Sequence, residues 1–219
     1  LTNLKKSPHI AVFLNIYPEH LDYYGGSFRS YINAKANIAK HQTSEDFFIY
    51  NKDSKIAANI AKLSKAQKIP FPHKAKQGQS LLVGTVPTIV ASSAPAILVG
   101  RLFGVQERII KQAVKNFKPL PHRLERVGEW KRITFYNDSL ATIPESTCAA
   151  LDTLGAKVHT LIAGGFDRGL TFEKLGKKIG KSNIKTLILF PTTGEKILAS
   201  IKKLPQSFFT KTMEEAIRL

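Results

Sequence analysis

Val158-His-Thr-Leu-Ile-Ala-Gly-Gly165 is followed by Phe172–Ile179, then Thr186-Leu-Ile-Leu-Phe190, then Glu195–Ile201. The first and third stretches have strand length and apolar character, and the other two carry apolar residues at helical spacing. Strands covered by helices on both faces read as apolar runs, because neither face meets water. A strand–helix–strand–helix order therefore predicts an α/β fold with a parallel, doubly wound sheet. Ligands of such sheets sit beyond the carboxyl ends of the strands. That places Gly164-Gly165 and the loop behind it on the ligand edge.

The same alternation runs through the rest of the chain. His9–Ile16, Phe47–Tyr50, Leu81–Val83 and Thr88–Val90 read as strands. Ser27–Lys40, Asp53–Ser64, Ser92–Phe103 and Gln106–Phe117 read as helices, the last two broken at Gly104. Lys118-Pro-Leu-Pro121 is the domain boundary, giving residues 1–118 and 119–219. Beyond it, Arg123–Val127 and Ile133–Tyr136 read as strands and Pro144–Leu154 as a helix. Thr142 and Glu145 are spaced as its capping box.

Composition bounds the function. Apolar residues make up 43% of the 219 and charged residues 22%, too apolar for a disordered chain. A lone Cys148 excludes an internal disulfide and a cysteine-rich zinc site, and points to a reducing compartment. Lys and Arg exceed Asp and Glu by 33 to 16, a formal charge of +17 that favours anionic partners. The charge is spread along the chain with no aromatic-basic motif, so it argues little for nucleic acid. The charge-free stretch Gln77–Gly100 is long enough to span a bilayer, but Pro87, Pro95 and its Ser, Thr and Gly content mark it as buried strand and helix. No secretory signal is visible, and both termini read as cut.

Individual residues carry little on their own. His20, in the loop after the first strand, is a metal ligand or a loop histidine bonded to backbone. Lys35 falls in the middle of the apolar stripe of its helix at about 100° per residue, so it either snorkels to water or is aimed into a site. Asp138 follows a strand directly and is a ribose acceptor or a turn aspartate. Thr142 is most simply an N-cap and Arg168 a solvated loop cation.

Asn15-Ile-Tyr-Pro-Glu-His-Leu-Asp22 with Tyr31-Ile-Asn-Ala-Lys35 resembles the central domain of the Mur ligase family. Pro121-His-Arg-Leu-Glu125 resembles the entry to that family's C-terminal domain. Asn137-Asp-Ser-Leu-Ala-Thr142 and Gly164-Gly-Phe-Asp-Arg-Gly-Leu-Thr-Phe172 are similar to its D-glutamate-adding branch. The blocks stand in the family's order over nearly the whole chain. The resemblance implies a parallel-sheet remnant of the central ATPase domain followed by a Rossmann-like C-terminal domain. It implies an ATP-dependent amide-bond ligase of peptidoglycan precursor synthesis, working through an acyl phosphate on UDP-N-acetylmuramoyl-L-alanine that D-glutamate attacks. ATP and Mg²⁺ are the implied cofactors. By matching position, His20 is a metal ligand and Lys35 the lysine that the family carbamylates to serve a metal. Arg123 touches ATP phosphate and Asp138 the ribose, while Thr142 and Arg168 hold the amino-acid carboxylate. A cytoplasmic monomer with no nucleic-acid or membrane partner is expected.

The chain departs from the pattern at named places. Leu140 stands where the family usually has lysine, Ile143 where it has asparagine, and Arg168 where it has lysine. The family's adenine-holding segment should fall near Val86–Ser92, which lacks its residues. No Gly-x-x-x-x-Gly-Lys-[Ser/Thr] loop occurs in the 219 residues, so these residues alone are expected to be inactive. A folylpolyglutamate-type or other Mur-like ligase, and a non-catalytic basic binding protein, are the alternatives.

Overall fold

The structure, a computed structural model, describes residues 5–71 and 87–219, and the side chains of these other than 87–92. The predicted strand Leu81–Val83 lies outside the described residues. The chain divides into two compact units, Leu1–Lys118 and Pro119–Leu219.

The first unit runs β1 (Ile10–Phe13), α1 (Phe28–Lys40), β2 (Phe47–Asn51), α2 (Lys55–Ala61), β3 (Gln67–Phe71), α3 (Pro87–Leu102) and α4 (Glu107–Asn116). The strands form one parallel sheet in the order β1-β2-β3, with Val12 opposite Ile49 and Ile49 opposite Ile69. Phe48 and Ile49 of the middle strand are fully buried. Removing such side chains from water is worth about 1.5–3 kcal/mol each. Helix α1 starts where the Ser27 hydroxyl accepts from the Ser30 amide at 3.2 Å, and it buries Tyr31, Ala34, Ala36 and Ala39. The small alanines let its backbone lie close to the sheet. At the amino end of the strands, buried Gln42 donates to the Pro8 and Phe47 carbonyls and accepts from Ser64, so a polar side chain is fully paired there.

Three expectations change in this unit. Strand β1 ends at Phe13 rather than Ile16, leaving Leu14 and Asn15 exposed in the following loop. Thr88–Val90 belongs to α3, since an apolar run of strand length does not distinguish strand from buried helix. Strand β3 escapes the pattern because Gln67-Lys-Ile-Pro-Phe71 is half polar and contains Pro70. Pairing to β2 makes it a strand, and its edge position among the described strands tolerates the proline.

The second unit runs β4 (Glu125–Trp130), β5 (Ile133–Asn137), α5 (Pro144–Leu154), a 3-10 turn, β6 (Thr160–Gly164), α6 (Glu173–Gly180), β7 (Thr186–Phe190), α7 (Gly194–Ala199), β8 (Gln206–Phe209) and α8 (Met213–Arg218). Strands β6, β7 and β8 pair in parallel in that order. Leu175 and Ile179 of α6 pack on Leu187 and Leu189 of β7, all almost fully buried. The two strands β4 and β5 stand apart as an antiparallel hairpin instead of joining a parallel sheet. Only Lys131 and Arg132 separate them, both with positive φ (47° and 67°), and a two-residue link permits only antiparallel pairing. The Thr142–Glu145 capping box is also corrected. Ile143 occupies the N-cap without a side-chain bond, because Pro144 takes the first helical position, where its missing N–H costs nothing. Among the described residues no helix is long and apolar enough to cross a membrane.

Candidate functional site

The ligand edge of the first unit is built by the loop leaving β1. Asp22 through Gly26 fold into a tight turn, closed by the Gly26 amide on the Leu21 carbonyl at 2.7 Å. His20 precedes it with φ 55°, and its exposed ring meets Tyr31 edge-on at 6.4 Å. Lys35, one helical turn beyond Tyr31, is half-buried and lays its Nζ over the same ring, 5.4 Å from the centroid. Tyr31 thus gathers His20 and Lys35. Tyr24 and Phe28 close around the same ring at 5.1 and 6.4 Å. Burial first, then the Glu19 carboxylate, pushes the Tyr31 phenol above its usual range, so the ring presents a neutral π-face to the ammonium.

In the same unit, buried Asn51 at the end of β2 donates to Asn15 Oδ1 at 3.2 Å and accepts from the Asp53 amide at 3.0 Å. It ties together the exits of two neighbouring strands. Its signal in the sequence was a polar residue ending the apolar run Phe47-Phe-Ile-Tyr, which sequence reasoning passed over.

In the second unit the segments 121–125 and 137–142 knot together. The Leu124 amide donates to Asp138 Oδ1 at 2.8 Å, and the Leu140 amide to the His122 carbonyl at 3.1 Å. Asn137 Nδ2 and His122 Nδ1 lie 2.8 Å apart. His122 and Leu124 both take positive φ, 63° and 47°, so exposed Arg123 is presented between two left-handed residues. No sequence pattern announces that conformation for His and Leu. Asp138 is half-buried, and desolvation raises its pKa against the opposing pull of the Leu124 amide and the Arg123 charge. Its carboxylate therefore holds the turn that carries Arg123, a structural duty beside any ligand contact.

Thr142 is exposed in the loop after β5, and Arg168 in the loop after β6. The neighbouring Asp167 is anchored by Lys196 and by the Gly169 amide, which lower its pKa. The Gly165 carbonyl accepts from the amides of Thr192 and Thr193, joining the exits of β6 and β7. A Cβ on Gly164 would stand 2.3 Å from the Phe190 carbonyl oxygen. A neighbouring strand, rather than a ligand, accounts for that glycine. Among the described residues no group of three His, Cys, Asp or Glu is placed to hold a metal ion.

Residues 2–86 match the Mur ligase middle domain, and residues 122–219 match the Mur ligase glutamate ligase domain. The chain is 35% identical to the UDP-N-acetylmuramoylalanine–D-glutamate ligase of Streptococcus pyogenes serotype M4 (strain MGAS10750), over 97% of this chain and 50% of the relative. The serotype M1 protein of the same name gives the same figures. The chain thus spans about half the length of the curated relatives it matches. In solved structures, MurF of Acinetobacter baumannii superposes with a TM-score of 0.74 at 18% identity, covering 97% of this chain and 52% of that one. Folylpolyglutamate synthase of Thermotoga maritima superposes at 0.57 with 14% identity, over 96% and 55%. These two speak for the fold alone.

Proposed function

The chain belongs to the Mur ligase family, and from that premise we propose that it serves the ATP-dependent joining of D-glutamate to UDP-N-acetylmuramoyl-L-alanine in peptidoglycan precursor synthesis. The observation that carries this is the 35% identity to ligases of that name along 97% of the chain. The first unit is then the distal part of the middle domain, and the second the glutamate ligase domain.

In this reading Arg123 neutralises ATP phosphate and Asp138 accepts from the ribose, both held by the knot described above. Thr142 and Arg168 take the carboxylate of the incoming amino acid. Arginine there keeps the charge of a lysine but offers a planar, bidentate fork. An acyl phosphate on the alanyl carboxyl is attacked by the D-glutamate amine, and the tetrahedral intermediate collapses to amide and phosphate. Such a path concentrates negative charge, which fixed cations stabilise.

His20 and Lys35 suit Mg²⁺ only in part. They bring one imidazole and one amine to the Tyr31 ring, and Mg²⁺ prefers oxygen. Carbamylation of Lys35 would convert its amine into an oxygen donor. Bound there, Mg²⁺ would neutralise phosphate charge.

The test is a titration of the ¹⁵N-labelled chain with D-glutamate, L-glutamate and ATP. D-glutamate is expected to shift the amides around Thr142 and Arg168, ATP those around Arg123 and Asp138, and Arg168→Ala to abolish the first response. Equal response to both glutamate enantiomers, or none at these residues, overturns the assignment.

A further inference from the structure

Eight of the eleven lysines of the second unit fall into two sets. Lys174, Lys178 and Lys196 pair with Glu145, Asp152 and Asp167. Lys157, Lys181, Lys185, Lys202 and Lys203 are exposed and make no ion pair among the described residues. These unpaired lysines sit in the turns 155–159, 181–185 and 200–205, which lead into β6, β7 and β8 and contain no Asp or Glu. Because the sheet is parallel, all these turns emerge on one edge. It is the edge opposite Gly165 and Arg168. A cavity of about 430 Å³ opens there, lined by His159, Ser182, Asn183, Lys185, Lys203 and Leu204 among others.

The plain explanation is that cations complement helix carboxyl ends, since α5, α6 and α7 all finish here. The magnitudes do not balance. A helix end carries about −0.5 charge, so these ends hold roughly −1.5 between them. The lysines exceed that with no carboxylate in the turns to make up the difference. Ser182 and Asn183 are already spent on the turn: Ser182 donates to the Ile179 carbonyl at 2.7 Å, and Asn183 to Ala156 at 3.5 Å. Recognition therefore rests on Lys185 and Lys203, which reach one concavity from separate turns, with Lys157, Lys181 and Lys202 on the same edge adding to the positive field. The volume lies within the usual range for small-molecule pockets, about 300–1,000 Å³. No aromatic ring other than His159 lines it, so the stacking platforms of single-strand binders are missing.

We infer that this cavity binds a small molecule bearing two or more phosphate-type negative charges, at a site separate from the ligand edge. Inorganic pyrophosphate is the probe, titrated into the ¹⁵N-labelled 219-residue chain at low salt. Amide shifts are expected at 157–159, 181–185 and 202–204. The double variant Lys185→Gln/Lys203→Gln should weaken binding at least tenfold, and Lys174→Gln, whose lysine is already paired, should leave it unchanged. Raising salt should weaken it by screening. The mapping on the unsubstituted chain stands whatever the variants do to folding. Shifts confined to Arg123 or Arg168, no shifts, or undiminished binding by the double variant overturn the proposal. Tighter binding of a random DNA duplex to the same turns overturns the small-molecule assignment.

Discussion

Lys35 shows how one residue divides between sequence and structure. Helical arithmetic puts it on the apolar stripe, and the buried face of α1 does flank it, with Tyr31, Ala34, Ala36 and Ala39. The stripe alone left open whether the amine escapes to water. In the structure the amine lies over the Tyr31 ring, and only loop folding brings His20 to the same ring. The carboxylates divide similarly. Asp46 is held below its usual range by the Thr43 amide first and then by His9, whereas desolvation raises Asp138. The signs are opposite. The contribution of Asp46 to stability is present above the ordinary carboxylate value and lost as pH falls through its depressed folded value. That of Asp138 is present below the ordinary value and lost as pH rises through its raised folded value. Carboxyl ¹³C titration is expected to find Asp46 protonating at lower pH than Asp138; the reverse order would contradict the burial argument.

At the scale of elements, segments with a clean apolar pattern were legible and half-polar ones were not. Thr186–Phe190 and Pro144–Leu154 have the bounds their pattern predicts. Gln67–Phe71 and Gln206–Phe209 are strands because a neighbour supplies their hydrogen bonds, which no local pattern encodes. Periodicity marks β4 and β5 as strands but is blind to partner and direction, so their antiparallel pairing comes from the structure. Gly164 is the most exacting element-level contact. Its φ of 132° is costly for any side chain, and an added methyl would meet the Phe190 carbonyl. Gly164→Ala is expected to destabilise the second unit by about 3 kcal/mol or more, read by urea unfolding. A loss under about 1 kcal/mol would mean the β6–β7 exit relaxes easily.

For the whole molecule, the units Leu1–Lys118 and Pro119–Leu219 each own a parallel sheet and a core of their own. Limited proteolysis is expected to cut first between Phe117 and Arg123, and residues 119–219 made alone should unfold cooperatively. Protection of that segment together with a molten second unit would refute independent folding. The sequence by itself determined the α/β class, the strand-ends where chemistry-bearing residues lie, and the family resemblance. Those follow from hydrophobic period and residue identity, which are local. Only the tertiary structure decided that Tyr31 joins His20 to Lys35, that left-handed His122 and Leu124 present Arg123, and that the unpaired lysines converge on one edge. Tyr31 and Lys35 are neighbours on one helix, but the approach of His20, the knot of 121–125 with 137–142 and the meeting of the lysine turns join residues further apart in the chain, and such contacts leave no period behind to read.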